Sequence, residues 1–351
     1  MALKFAPAEL SVLGSGFSLP GEAVSTPKLL DALQRLCPDP RLKRRAAALV
    51  SRLGIESRHL CRRLDMARSV PTPSGVTLAQ QALAVALQQA ALPATELEYL
   101  LTHTCTPQTQ VPPNAAWLAE VLDYPGPYLE LRQACTGFAN ALQIVSAMAL
   151  ASDRPMAVAA METGSVYFDI SPQFIDAGQL VNYVQMGDGA AAVVLAARRP
   201  QTPWLSDMYL GHMGNGKAPG FYLSGGAADV GEGQMARFHH DAQSVRSIGP
   251  ALFKAGLSAV LARGYCLDDF RFILPHQANG HIDTQLAAAL AIAPERIIND
   301  AKSLGNLGSA AIWMSLARLR ERGQLRPGDR VLVLGAEATK YLYGGFVYHH
   351  L

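Results

Sequence analysis

The sequence predicts an α/β fold built as two similar halves around mainly parallel sheets. Three observations carry that expectation. Short runs rich in Val, Ile and Leu alternate with longer Ala/Leu-rich segments, the pattern of strands covered on both faces by helices. The alternation restarts after residue 245, beyond a glycine-rich stretch. The chain has 351 residues, half of them hydrophobic and only 17% charged, enough for a large buried core shared by two halves or two domains.

The first half, residues 1–195, is expected to carry the strands ELSVLGSGF, LEYLLTHTC, PYLELRQ, PMAVAAME and AAAVVLAA, with helices over 76–91, 112–122 and 137–151. Helix 137–151 places Phe138, Leu142, Val145 and Met148 on one face at three- and four-residue steps. Residues 196–245 are expected to be a connecting loop region, because 205–242 hold eight glycines. His239, His240 and Asp241 lie there. Adjacent histidines in a strand point to opposite sides, so a solvated loop is favoured over a metal site. The second half, residues 246–351, is expected to run helix 248–262, strand FRFILPH, helix 280–290, ERIIND, helix 309–322, strand RVLVLGAE and a closing strand GGFVYHH.

Several function classes are disfavoured. A net charge of +2 is too balanced to point to nucleic acid. The five cysteines, at 37, 61, 105, 135 and 266, contain no CxxC pair, so neither a metal site nor a disulfide framework is expected. The N-terminus MALKFAPAELSVLG lacks the signal-peptide pattern. No apolar run approaches the roughly 18 residues of a membrane span. A soluble cytoplasmic protein is expected. The opening LGSGFSLPG has G-x-G but no third glycine and no following helix, which rejects a dinucleotide site. Residues 41–63 carry eight Lys/Arg against one acid, Glu56. They read as a solvated helix face or as a landing patch for a phosphate-bearing or acidic partner, and the lopsided sign leans to the second.

Three stretches place polar groups where strands end. In LELRQACTGFANALQIV, Cys135 sits at a strand-to-helix elbow, near N–H groups that favour thiolate. In ILPHQANGHI, His276 follows the apolar run Phe272–Leu274. In SLGNLGSAAIWMSLARL, Asn306 lies between Gly305 and Gly308. Each has a bland reading: an inert buried thiol, a satisfied structural histidine, a turn asparagine. Strand ends in parallel sheets are also where sites assemble, so the three could share one crevice.

At these residues the sequence resembles the beta-ketoacyl-acyl carrier protein synthase III enzymes of the thiolase superfamily, over nearly the whole chain. GSGFSLPGEAVST resembles their opening strand and loop, and SRLGIESRH their Thr-Gly-Ile-x-x-Arg segment. QACTGF, METGS, MGDGAAAVVL, PHQAN and GNLGSAA match further motifs in order. The resemblance implies a thiolase-like fold, two similar halves in a five-layered α/β/α/β/α arrangement, and a homodimer. It implies catalysis by Cys135, His276 and Asn306. Cys135 takes an acyl group from a thioester. A malonyl-type thioester then loses carbon dioxide, its oxygen held by His276 and Asn306, and the carbanion attacks the acyl-cysteine. The implied partners are acyl carrier protein and/or acyl-coenzyme A, whose coenzyme A or phosphopantetheine thioesters are substrates. No cofactor or metal is implied. Phe138, Arg52, Gln277, Asn279 and Gly305, in or beside these motifs, are expected to contact substrate. Phe138 and Trp117 could shape an acyl tunnel or simply fill core. Cys105, at the strand end THTCTP, could line the crevice, but packing is favoured.

Departures from the family point to a specialised or secondary-metabolism member. A Gly-Gly-Gly-Phe loop usually completes the oxyanion hole. Here Ala338, Thr339 and Lys340 stand near the glycine positions, and a β-branched Thr339 resists φ > 0. Ala48 and Val166 stand where a Trp and an Arg often sandwich adenine, so weak coenzyme A affinity and delivery by a carrier protein are expected. His281 replaces a carrier-docking arginine. Residues 267–351 lack the second cysteine of non-decarboxylating thiolases, and THTCTPQTQVPPN lacks the glutamate of hydroxymethylglutaryl synthases. The alternatives left are a chalcone-synthase-like polyketide synthase, acyl transfer to an alcohol or amine, and a non-catalytic partner subunit.

Overall fold

The computed structural model describes residues 3–67, 69–171, 174–227 and 236–351. The last part of the glycine-rich stretch, 228–235, lies outside the described residues. The strands are β1 Leu3–Phe5, β2 Leu10–Ser18, β3 Val24–Ser25, β4 Ser57–Arg58, β5 Tyr99–His103, β6 Tyr128–Leu131, β7 Met156–Glu162, β8 Gly189–Ala197, β9 Trp204–His212, β10 Phe221–Leu223, β11 Phe238–His240, β12 Phe272–Pro275, β13 Arg330–Glu337 and β14 Leu342–His349. The helices are α1 Thr26–Leu36, α2 Pro40–Leu53, α3 Gly75–Ala90, α4 Asn114–Val121, α5 Gly137–Met148, α6 Ala177–Gln185, α7 Ala242–Leu261, α8 Ile282–Leu290, α9 Ala301–Leu304 and α10 Ala311–Glu321.

The main sheet runs β12-β13-β14-β9-β2-β8-β7-β5-β6, with β1 on β9. Its two halves meet where β2 pairs with β9, at Leu10↔Leu205 and Ser11↔Trp204. Beyond that seam they enclose α5 and α10, whose Phe138, Leu142, Trp313 and Met314 pack between Val158 and Val193 of one half and Val333 and Phe346 of the other. On the outside, α3 and α4 cover β5, β7 and β8, while α7 and α8 cover β9, β12, β13 and β14. The result is the five-layered thiolase-like arrangement. Burying apolar surface on both sides of each half is what holds it, at about 25 cal/mol per Å² removed from water.

The structure corrects three expectations. Within the main sheet only β12–β13, β5–β6 and β5–β7 are parallel; the other pairings are antiparallel. The chain returns by β8 beside β7, and by the tight connection between β13 and β14, so each half closes with antiparallel strands. Residues 196–245 are not simply a connecting loop, because β9 lies in them at the centre of the sheet. β9 reads WLSDMYLGH and is covered on both faces, so it shows no clean alternation and no Val or Ile. The basic run 41–63 is largely α2, whose Arg41, Lys43, Arg44, Arg45 and Arg52 are exposed. Arg58 does not belong to that surface. It is fully buried, and its Nη2 donates to Thr26 Oγ1 at 3.2 Å and Val184 O at 3.0 Å.

Candidate active site

Cys135, His276 and Asn306 all line one cavity of about 780 Å³, floored by the ends of β12 and β13 and walled by α7 and α8. Three elbows bring them there. Cys135 ends the loop after β6, one residue before Thr136 caps α5. His276 follows β12, pinned by its N–H donating to Leu334 O at 2.7 Å. Asn306 is fixed by backbone on both sides: its N–H donates to Gln185 O at 2.8 Å, and its C=O accepts from Gly187 N at 3.1 Å.

The donors in the cavity follow from this anchoring. Asn306 Oδ1 accepts from Gly308 N at 2.9 Å, which leaves the carboxamide N–H₂ as the group available to a ligand. Burial pulls the His276 imidazole down to about 4. It is therefore neutral at pH 7 and carries one N–H.

The surroundings of Cys135 work against the thiolate expectation. Burial pushes the Cys135 thiol well above its ordinary value, and the carboxylates of Glu337 and Glu162 push it further. At the N-cap of α5, Thr136 N donates to Glu337 Oε2 at 2.8 Å and Thr136 Oγ1 does so at 2.7 Å. Burial first, and then two carboxylates, outweigh a partial helix charge. Glu162 pins the opposite side. Thr106 Oγ1 and, at 3.4 Å, Thr104 Oγ1 donate to its Oε1; Ser309 N at 3.0 Å and Ser309 Oγ at 2.7 Å donate to its Oε2.

The remaining sequence candidates divide. Asn279 lines the cavity, its Oδ1 accepting from His281 N at 2.8 Å. Phe138 does not: its ring is fully buried between Trp313 and Phe346, edge-on at 6.0 and 5.9 Å. Gln277 is buried behind the wall, donating to Ser315 Oγ at 3.0 Å and accepting from Ala301 N at 2.9 Å. Gly305 makes a turn at φ 72°, where a Cβ would come within 2.9 Å of Gln185 O. Arg52 is exposed on α2. His281 is committed to the α2–α8 junction, its Nε2 3.2 Å from Ser51 O. Cys105, expected to pack, lines the cavity instead.

Sequence reasoning passed over Glu162, Glu337 and Asn182 and read His240 as part of a solvated loop, yet all four are on the cavity wall. A carboxylate closing the apolar run VLVLGA of β13 is the signal that marks Glu337. In the loop after it only Tyr341 takes positive φ, at 56°, so Ala338, Thr339 and Lys340 keep ordinary backbone.

The C-terminal model of 3-oxoacyl-[acyl-carrier-protein] synthase III matches residues 261–348. A beta-ketoacyl-[acyl-carrier-protein] synthase III of Streptomyces coelicolor is 31% identical over 258 residues, covering 71% of this chain and 75% of that protein. One from Rhodobacter capsulatus is 30% identical over 297 residues, covering 80% and 84%. The chain belongs to the synthase III family. Among solved structures, synthase III from Pseudomonas aeruginosa superposes with a TM-score of 0.78 at 25% identity, covering 97% of this chain and 98% of that one. AbyA1, a tetronic acid condensing enzyme, superposes with a TM-score of 0.83 at 24% identity, covering 97% and 100%, and shares the fold. As a synthase III family member this protein is a condensing enzyme. No helix among the described residues is long and apolar enough to cross a membrane.

Proposed function

We propose that this condensing enzyme works through an acyl-cysteine and a decarboxylative Claisen condensation. The observation that carries the reading is the convergence of Cys135, His276 and Asn306, from three separate elbows, on one cavity. Cys135 sulfur attacks an acyl thioester and releases its thiol. A malonyl-type thioester then enters with its carbonyl oxygen against the Asn306 N–H₂ and the His276 N–H. As carbon dioxide leaves, negative charge grows on that oxygen. Two neutral donors stabilise it without offering an acidic proton that would quench the carbanion. The carbanion attacks the acyl carbon, forming the carbon–carbon bond and freeing Cys135.

Carrier-protein delivery is supported by the exposed cations of α2 and by Ala48 and Val166, which offer no planar surface to adenine. Together with the altered 338–340 loop they favour a specialised, secondary-metabolism role. A homodimer is favoured by the sheet's free edge at β6, where Tyr128 and Leu129 are exposed. The test is intact-mass analysis with a panel of acyl thioesters, followed by product analysis with a malonyl donor. The expected result is an acyl adduct on the wild type, none on Cys135→Ala, and a ketoacyl product. An adduct that never reacts with the malonyl donor would refute condensation.

A further inference from the structure

We propose that Asn182 and His240 recognise a hydroxyl on the acyl chain of the donor thioester. The inference rests on the reading above, in which Cys135 takes up that acyl group.

Asn182 of α6 and His240 of β11 both line the cavity that holds Cys135, His276 and Asn306. Their side chains are joined: His240 Nδ1 lies 2.9 Å from Asn182 Oδ1. A carboxamide oxygen only accepts, so Nδ1 carries the hydrogen. Phe221 packs edge-on to the imidazole at 5.6 Å and fixes its plane. Burial keeps the ring neutral, at about 4, which makes Nε2 an acceptor. Among the described residues nothing donates to that nitrogen. The other end of the carboxamide is unmatched as well. Asn182 is 1% exposed, and its N–H₂ finds no partner among the described residues. A buried donor left unpaired costs free energy that a ligand atom can return.

The pair therefore offers the cavity one donor and one acceptor. Turning the amide over exchanges the two roles and leaves the same offer. A hydroxyl answers both at once, its hydrogen to His240 Nε2 and its oxygen to the Asn182 N–H₂. A methylene answers neither, and a ketone oxygen would meet the lone pair on Nε2.

The place of the pair selects the acyl chain rather than the carrier arm. Asn182 stands one helical turn before Gln185, about 4.5 Å along α6. The C=O of Gln185 holds the Asn306 N–H at 2.8 Å, so the pair sits near the reacting centre. Gln185 itself is committed, its Nε2 donating to Ala278 O at 2.6 Å. The cavity meets solvent between α7 and α8, where Arg246, Lys254, Gln285 and Ala289 are exposed. A carrier arm has to leave by that end. The buried end at Asn182, Gln185 and Met186 is left for the acyl group.

The test uses acyl N-acetylcysteamine thioesters in matched pairs of equal chain length. One member is saturated; the other carries a hydroxyl at its second, third or terminal carbon. Acylation of Cys135 is followed by intact mass. The expected result is a hydroxylated member that acylates the wild type about ten-fold faster than its saturated match, the ordinary worth of a well-placed hydrogen-bond pair. In Asn182→Leu/His240→Phe, which replaces both partners by apolar groups of similar size, that ratio falls to about one. Asn182→Leu made alone lowers it in the same direction. The wild type decides the matter even without a variant: saturated thioesters that react as fast as all their hydroxylated matches overturn the proposal. A variant that keeps the wild-type ratio, whatever its absolute rate, overturns it too, because the preference then arises elsewhere. A wild type that gains no acyl adduct from any thioester while iodoacetamide still alkylates Cys135 refutes the acyl-cysteine reading itself.

Discussion

Replacing Phe138 by Ala separates a core ring from an acyl-tunnel wall. The ring is fully buried between the rings of Trp313 and Phe346. It also rests on Gly335, where an added Cβ would come within 2.7 Å of its Cε1. The space it would leave is bounded by Trp313 of α10, Gly335 of β13 and Phe346 of β14. Truncating such a ring costs about 3–5 kcal/mol, and two lost edge-on contacts place this site near the upper end. An unfolding entropy of about 2.1 cal/mol/K per residue comes to roughly 0.7 kcal/mol/K for a chain of this size. A loss of about 4 kcal/mol then lowers the thermal midpoint by about 5–6 °C. Differential scanning fluorimetry reads the midpoint, and intact mass across an acyl thioester series reads chain-length preference. The expected outcome is the lower midpoint with an unchanged preference, and a much smaller drop for Phe138→Leu. A midpoint within about 1 °C of wild type, combined with a shifted acyl preference, would put the ring on the acyl path and refute the packing argument.

Asn306→Ala should lower condensation by about 10²–10³-fold, the usual worth of one oxyanion donor, while Cys135 still acylates; loss of acylation in that variant would deny the two groups separate steps. Burial holds His103 at about 3 and His276 at about 4, below the ordinary 6.5, so the unfolded chain binds more protons below pH 6.5. Stability from these two groups is full above pH 6.5 and declines toward pH 4, by roughly 4 kcal/mol in total at pH 5; an unchanged urea midpoint between pH 7 and pH 5 would contradict this. Gly187→Ala should leave the protein insoluble or misfolded, because the new Cβ would sit 1.9 Å from the backbone oxygen of Leu304. Gly249→Ala, with nothing within 4 Å of the added Cβ, should fold and melt no lower than wild type; equal thermal midpoints for the two variants would show the Gly187 contact to be harmless.

Much of the architecture was legible because local periodicity encodes it. The Val-rich runs that became β8 and β13 and the apolar face of α5 announced themselves, and the polar residues closing three elements pointed to Cys135, His276 and Asn306. β9 stayed hidden because a strand covered on both faces, carrying Ser206, Asp207 and Gly211, has no period to read. The α1–α2 pair was equally hard to see, since only Ala46 of α2 is fully buried and its face is mostly charge. Which candidates face the cavity was a tertiary decision. Phe138 and Gln277 turned inward to packing, while Cys105 and Glu337 turned to the site. The surroundings of Cys135 were decided the same way. Thr136 meets a carboxylate 201 residues away, and Ser309 meets one 147 residues away. Sequence neighbours determine how a segment is shaped; the field and solvent access at a sulfur depend on groups that only the folded chain brings within reach.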